Sequence, residues 1–351
     1  MIKEGELPHV METKGKSATG TGDHRRVVEF ADNGLAAQVF GEHDRHLARI
    51  EDRLGIVLIN RGNRIAIEGT PERADQAERV LTDLYDMVKT GLPLEPADVD
   101  GVIRMVDDGL VAEPATATGS RPVVETPDAD GSALKIATRN KVILPRSKGQ
   151  ASYMQKLAAC EMVFGVGPAG TGKTYLAVAM AVARLLKGEV DRVILSRPAV
   201  EAGENLGFLP GDLKEKVDPY LRPLYDALYD MVPPDQVEKR MNSGQIEIAP
   251  LAYMRGRTLS NAAVILDEAQ NTTVMQMKMF LTRFGENSSM TICGDPSQVD
   301  LPGGAPSGLR HALDILRDVD EIGVVRFTSA DVVRHPLVSR IIDAYDGEGN
   351  A

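Results

Sequence analysis

Eight consecutive residues constrain this chain more than any others: Gly167-Pro168-Ala169-Gly170-Thr171-Gly172-Lys173-Thr174. An apolar run (Met162, Val163, Phe164, Val166) leads into them, and an apolar helical pattern follows from Tyr175 to Leu186. The spacing is G-x-x-x-x-G-K-[ST], with a predicted strand before it and a predicted helix after it. Glycines let the backbone wrap around an anion and turn its N–H groups inward. The helix N-terminus adds unpaired N–H groups and the positive end of its dipole. In such a loop Lys173 reaches the β- and γ-phosphates and the Thr174 hydroxyl holds Mg2+. The stretch therefore predicts a nucleoside triphosphate site that also holds Mg2+.

At 351 residues the chain has room for about two domains. Its net charge of −11 is unevenly spread. Glu95 to Asp130 carries nine acids and two bases, whereas Gly131 to Cys160 carries six bases and no acid. Binding follows the local patch, so an acidic total does not exclude a nucleic-acid partner. Cys160 and Cys293 are too few and too far apart for a metal site or a disulfide framework. The polar N-terminus has no signal-peptide pattern. The most apolar run, Leu176 to Leu186, contains Arg184 and falls short of the roughly 18 apolar residues of a membrane span. A cytoplasmic protein with no membrane contact is expected.

Residues 1–22 lack periodicity and are expected to be disordered. A small α+β domain is predicted over 23–107. Arg26–Phe30 reads as a strand, Asn33–Phe40 and His43–Leu54 as helices, and Ile56–Ile59 and Ile65–Ile67 as a hairpin around Asn60-Arg61-Gly62-Asn63. Thr70-Pro71-Glu72 opens a helix running to about Lys89, and a short helix follows over Glu95–Asp107. The order β-α-α-β-β-α resembles the KH RNA-binding module, in which a G-x-x-G loop clamps the nucleic-acid backbone. Here that loop is Gly41-Glu42-His43-Asp44, with an acid in place of the second glycine. His43 and His46 read as surface histidines on one helix face.

Residues 108–134, rich in Ala, Pro, Thr, Gly and Asp, read as a linker. The basic stretch Lys135–Lys148 then leads to Gln150 and Tyr153. A glutamine just upstream of a phosphate loop reads adenine in helicase-like ATPases, so Gln150 is a candidate for that contact, with Tyr153 near the base. Arg192–Leu195 is a predicted strand ending in Ser196-Arg197-Pro198, followed by a long loop over Ala199–Pro210. Helical sequence over Asp212–Asp230 is interrupted by Pro219 and Pro223. Ala262–Leu266 is an apolar strand ending in Asp267-Glu268; Asp267 would hold Mg2+ through water and Glu268 would polarise the attacking water. Thr272–Phe284 reads as a helix packing Met275, Met279 and Phe280 into the core. A strand over Met290–Cys293 ends in Gly294-Asp295-Pro296-Ser297-Gln298. This resembles motif III of superfamily-one helicases, whose glutamine senses the γ-phosphate. Ser329–Pro336 opens a last predicted helix, and Arg334 is a candidate arginine finger.

GPAGTGKTYLAVA, SRPAVEAGENLGFLPGDL, VILDEAQNTT, GDPSQVDLP and DVVRHPLV together resemble the PhoH-like family of bacterial ATPases, over residues 135–346. The alternating strands and helices predict an α/β RecA-like P-loop NTPase core over 135–351, with a mostly parallel sheet. The resemblance implies an ATP-binding ring-forming oligomer linked to RNA metabolism, with a YbeY-type endoribonuclease or ribosomal components as partners. A single core lacks the second domain that closes ATP in helicases, so an arginine from a neighbour in a homo-hexamer is expected to complete the site. Two functions follow: an ATPase that remodels RNA or RNA–protein complexes, or a nucleotide-controlled docking platform with slow turnover. A kinase fits less well, because Glu268 and Gln298 are placed to act around water.

Overall fold

The computed structural model describes residues 24–89, 94–107, 135–198, 213–333, 338 and 341. The described chain falls into two compact units, one holding 24–107 with 146–148, the other 135–145 and 149 onward. In the first unit, β1 (His24–Glu29), β2 (Val57–Asn60) and β3 (Arg64–Gly69) form an antiparallel sheet in the order β1-β3-β2. Helices α1 (Asn33–Phe40), α2 (Arg45–Leu54), α3 (Pro71–Lys89) and α4 (Pro96–Asp107) complete it. Asp32 caps α1 by accepting from the N–H groups of Gly34 and Leu35. Val28, Phe30, Ile50, Ile65, Ile67, Leu81 and Leu84 fill the core, so the helical and strand periodicities meet on one apolar interior.

The second unit carries the phosphate loop. A two-stranded antiparallel ribbon, β4 (Ile136–Ala137) and β5 (Val142–Ile143), precedes α5 (Lys148–Ala159). Then come β6 (Met162–Val166), α6 (Lys173–Lys187), β7 (Arg192–Arg197), α7 (Leu213–Met231), α8 (Pro234–Asn242) and β8 (Ile246–Pro250). The chain continues through β9 (Ala262–Leu266), α9 (Val274–Leu281), β10 (Ser289–Gly294), α10 (Gly308–Ile315) and β11 (Ile322–Arg326). Six strands form one wholly parallel sheet in the order β11-β6-β10-β9-β7-β8. Buried apolar clusters cover both faces, α6 packing on one and α9 with α10 on the other. This is the α/β P-loop NTPase core that the motifs predict. Because every strand runs the same way, the C-terminal ends of β6, β7, β9 and β10 lie along one edge of the sheet.

Several local expectations are corrected. Helix α7 runs unbroken through Pro219 and Pro223. Each proline removes an intrahelical hydrogen bond, but Leu221, Leu224, Leu228 and Met231 are buried and hold the helix against the core. On α9, Met277 and Phe280 point inward while Met275 is 74% exposed. His46 is not a surface residue: it is buried, with Nδ1 3.0 Å from the Val39 carbonyl, and desolvation lowers its pKa. Residues 329–331 form a single 3-10 turn, closed by Thr328 and Asp331, and Val332 is extended, so the last helix does not open at Ser329; Val338 and Ile341, further on, are helical. No helix among the described residues is long and apolar enough to cross a membrane. The predicted tail over 1–22, the linker over 108–134 and the loop over Ala199–Pro210 lie outside the described residues.

Candidate active site

The phosphate loop joins β6 to α6 and is pinned at both ends. Gly167 donates to the Gly294 carbonyl at 3.1 Å, and the Val166 carbonyl accepts from Phe327 at 2.8 Å. Gly167 has φ 144°, and a Cβ there would lie 2.5 Å from the Phe327 carbonyl oxygen; only glycine lets the chain turn at this point. Gly172 takes φ 82° as the residue before α6, which turns the helix N-terminus toward the loop. The Lys173 ammonium is folded into the same curve, donating to the Gly167 and Pro168 carbonyls at 2.7 Å each. Burial pulls its pKa down, while the acidic groups around it, Asp295, Asp267 and Glu268 among them, oppose the shift.

Facing the loop is the end of β9. The Thr174 hydroxyl donates to Asp267 Oδ1 at 2.6 Å. Burial raises the Asp267 pKa, against the attraction of Arg197 and the hydrogen bond from Thr174. Glu268 adopts a left-handed conformation, φ 52° and ψ 37°, a strained backbone state for a non-glycine residue. The two neighbouring carboxylates consequently diverge. Asp267 turns to Thr174, whereas Glu268 meets Arg197 Nη2 at 2.7 Å through Oε1 and Gln270 Nε2 at 2.6 Å through Oε2. A hydroxyl and a carboxylate oxygen 2.6 Å apart are a hard-oxygen donor pair, the chemistry that suits Mg2+.

Across the cleft, β10 ends in Gly294 and Asp295. Gln298 Nε2 donates to Asp295 Oδ2 at 2.7 Å, and Ser297 donates to Oδ1 through its backbone N–H and its hydroxyl. Against the upward push of burial, these bonds from Ser297 and Gln298 and the Lys173 charge hold the Asp295 carboxyl below its ordinary pKa. Ala169, Gly170, Gly172, Lys173, Thr174, Tyr175, Asp267, Glu268, Gly294, Asp295 and Gln298 thus line one cleft of about 290 Å3. Thr171 lies beneath, its hydroxyl donating to the Pro168 carbonyl at 2.9 Å.

Two predicted residues turn away from the cleft, and a third falls outside the described residues. Gln150 is 5% exposed and donates its amide to the Thr171 carbonyl at 3.1 Å, so its amide is turned to the loop from behind. Tyr153 is fully buried against Phe327, its hydroxyl 3.3 Å from Cys293 Sγ; it supports β6 and cannot lie beside a base. The hydrophobic spacing of α5 turns both inward. Burial also pushes the Cys293 thiol up to about 12, which keeps it protonated. Arg334 lies outside the described residues, although Val333, just before it, donates to the Gly170 carbonyl at 3.0 Å. Two residues of the site were not singled out from sequence: Arg197 and Gln270. The only signal for either was its place in SRP after a strand and in DEAQ after another.

Residues 142–346 match the PhoH-like protein family. A PhoH-like protein of Mycobacterium bovis is 50% identical over 311 residues, covering 89% of this chain and 85% of the relative. One from Bacillus subtilis is 49% identical over 311 residues, covering 89% and 94%. Protein PhoH of Escherichia coli is 47% identical over 205 residues, 58% of each chain. With its glycine-rich loop, acidic strand end and Gly294–Gln298 loop assembled on one sheet edge, this chain belongs to the PhoH-like protein family.

Proposed function

We propose that this protein hydrolyses ATP and couples the cycle to remodelling of RNA or of an RNA–protein complex. The observation that carries the reading is the convergence of Lys173, Thr174, Asp267, Glu268 and Gln298 on one cleft. Mg2+, when bound, supplies positive charge against the phosphate oxygens. Thr174 and Asp267 are the side chains that would hold it. Lys173 offers its ammonium to the β- and γ-phosphates, and the loop N–H groups orient them. Glu268 takes the proton of the attacking water, and Gln298 answers to the γ-phosphate.

The RNA part of the proposal rests on two further features. The run from Gly131 to Cys160 has six bases and no acid, the footprint expected of a nucleic-acid contact. The first unit follows the KH-like order β-α-α-β-β-α, although Glu42 and Asp44 in its loop repel a phosphate backbone. By family resemblance, a YbeY-type endoribonuclease or ribosomal components are the proposed partners, and a homo-hexamer the proposed assembly. The test is ATP turnover by the purified protein with structured RNA, with single-stranded RNA and with neither. Stimulation by RNA supports remodelling. Turnover indifferent to both RNAs favours the nucleotide-controlled docking platform instead.

A further inference from the structure

Both oxygens of the Glu268 carboxylate are held by side chains from outside the phosphate loop. Glu268 Oε1 accepts from Arg197 Nη2 at 2.7 Å, and Oε2 accepts from Gln270 Nε2 at 2.6 Å. Arg197 is the last residue of β7, the strand beside β9, where Ser196 stands opposite Leu266. Its Nε also lies 3.4 Å from Asp267 Oδ2, so one guanidinium spans both acids of the strand end. A planar fork can serve two carboxylates at once, which a lysine ammonium does less well.

Gln270 extends the arrangement to the opposite wall. Its side chain is 2% exposed, and its Oε1 accepts from the Asp295 backbone N–H at 3.0 Å. Its own carbonyl accepts from the Ser307 hydroxyl at 2.8 Å. A Cβ on Gly294 would come within 2.7 Å of Gln270 Oε1, so the glycine that ends β10 also leaves room for the amide. Asp295 in turn holds Gln298. An unbroken series of contacts therefore runs Arg197, Glu268, Gln270, Asp295, Gln298, joining the ends of β7, β9 and β10.

We infer that Arg197 and Gln270 are positioning residues that clamp the Glu268 carboxylate, and that Gln270 ties it to the loop carrying Gln298. This rests on the ATPase reading above. The clamp fixes where the carboxylate points, and the link makes its position answer to the sensing loop. A purely structural ion pair makes a different forecast: removing one partner costs stability, with no special coupling to Glu268.

The experiment compares the full chain with Gln270→Ala, Arg197→Lys and Glu268→Gln, and with each of the first two combined with Glu268→Gln. Single-turnover ATP hydrolysis, affinity for a fluorescent ATP analogue and melting temperature are measured for each. Gln270→Ala is expected to slow hydrolysis by roughly 10- to 100-fold, the scale of a small misplacement of a reacting group, while analogue affinity changes by less than about threefold. Arg197→Lys is expected to lose less. In the Glu268→Gln background Gln270→Ala should not slow the residual rate further, because it acts through that carboxylate, whereas Arg197→Lys keeps a smaller loss there because the Arg197 guanidinium also faces Asp267. Losses that multiply when Gln270→Ala is combined with Glu268→Gln, or a folded Gln270→Ala protein with parental turnover, overturn the clamp. A parent that binds the analogue without hydrolysing ATP overturns the ATPase reading itself and the clamp with it, before any variant is compared.

Discussion

The hydroxyl of Thr174 and the carboxylate of Asp267 are 2.6 Å apart across 93 positions of sequence. This one hydrogen bond joins the first turn of α6 to the end of β9. It also brings together the two side chains suited to an Mg2+ ion. Thr174→Val keeps the volume and removes the ligand oxygen. Affinity for ATP is expected to rise with Mg2+ in the parent and to lose most of that dependence in the variant. Titration of a fluorescent ATP analogue in Mg2+ and in EDTA checks it, and equal Mg2+ dependence in both proteins would contradict the assignment.

Lys173 and Glu268 are expected to divide binding from chemistry. Lys173→Ala is expected to lose tight ATP binding, because the loop loses the only lysine among the residues lining the cleft. Glu268→Gln is expected to bind ATP and to hydrolyse it about 10²–10⁴-fold more slowly, the range for one positioned acid–base group. Parental turnover in Glu268→Gln would falsify the role given to that carboxylate.

Gln150 braces the phosphate loop through the Thr171 carbonyl. Adenine selectivity, the role its position in the sequence suggests, requires the amide to face a base. With the amide on the loop, Gln150→Ala should weaken ATP and GTP binding by the same factor. Competition binding with the two nucleotides decides it: a selective loss of ATP would return Gln150 to the base.

Asp83, on α3, has its carboxyl raised from 3.8 to about 6, by burial first and then by the neighbouring Asp86 charge, against the pull of Arg79. The folded state therefore holds this proton more tightly than the unfolded state does. Stability from the protonated group is fully present below about pH 4 and is lost as pH rises through about 6. Asp83→Asn should stabilise the first unit by roughly 1–2 kcal/mol at pH 7, with no gain below pH 4. Urea unfolding of both proteins at the two pH values measures the difference.

The proposed ring is tested by subunit mixing. Lys173→Ala subunits have a damaged site of their own, and Arg334→Ala subunits lack the proposed finger. Mixed rings place some intact sites beside an intact Arg334, so activity should exceed that of either variant alone. An arginine acting in trans can contribute about 10³–10⁵ in rate. Absence of rescue in verified mixed oligomers counts against Arg334, and a monomer at working concentration removes the ring.

The parts of the site legible in the sequence are those whose spacing is itself the function. The phosphate loop, Asp267-Glu268 and Gly294–Gln298 each act as short contiguous segments at strand ends, and local pattern exposes them. What escaped depends on distant partners. Arg197 meets Glu268 across 71 positions, and no periodicity records that pairing. Gln150 and Tyr153 stand just upstream of the loop in the sequence, yet position and residue type cannot say that a helix carries them or which way their side chains point. His46 and Met275 show the same limit from the other side: helical spacing identified the helices, but one expected surface residue is buried and one expected core residue is 74% exposed.

The strand order has a consequence for biosynthesis. Strand β6, which carries the phosphate loop, finds its sheet neighbours in β10 (Ser289–Gly294) and β11 (Ile322–Arg326). As the chain leaves the ribosome, that strand must wait for more than a hundred further residues before either flank can be covered. Closing so long a stretch makes pairing slow and leaves an apolar strand with open edges in the meantime. A nascent chain stopped just after β9 would already carry Lys173, Thr174, Asp267 and Glu268, and would still have no strand to set between them.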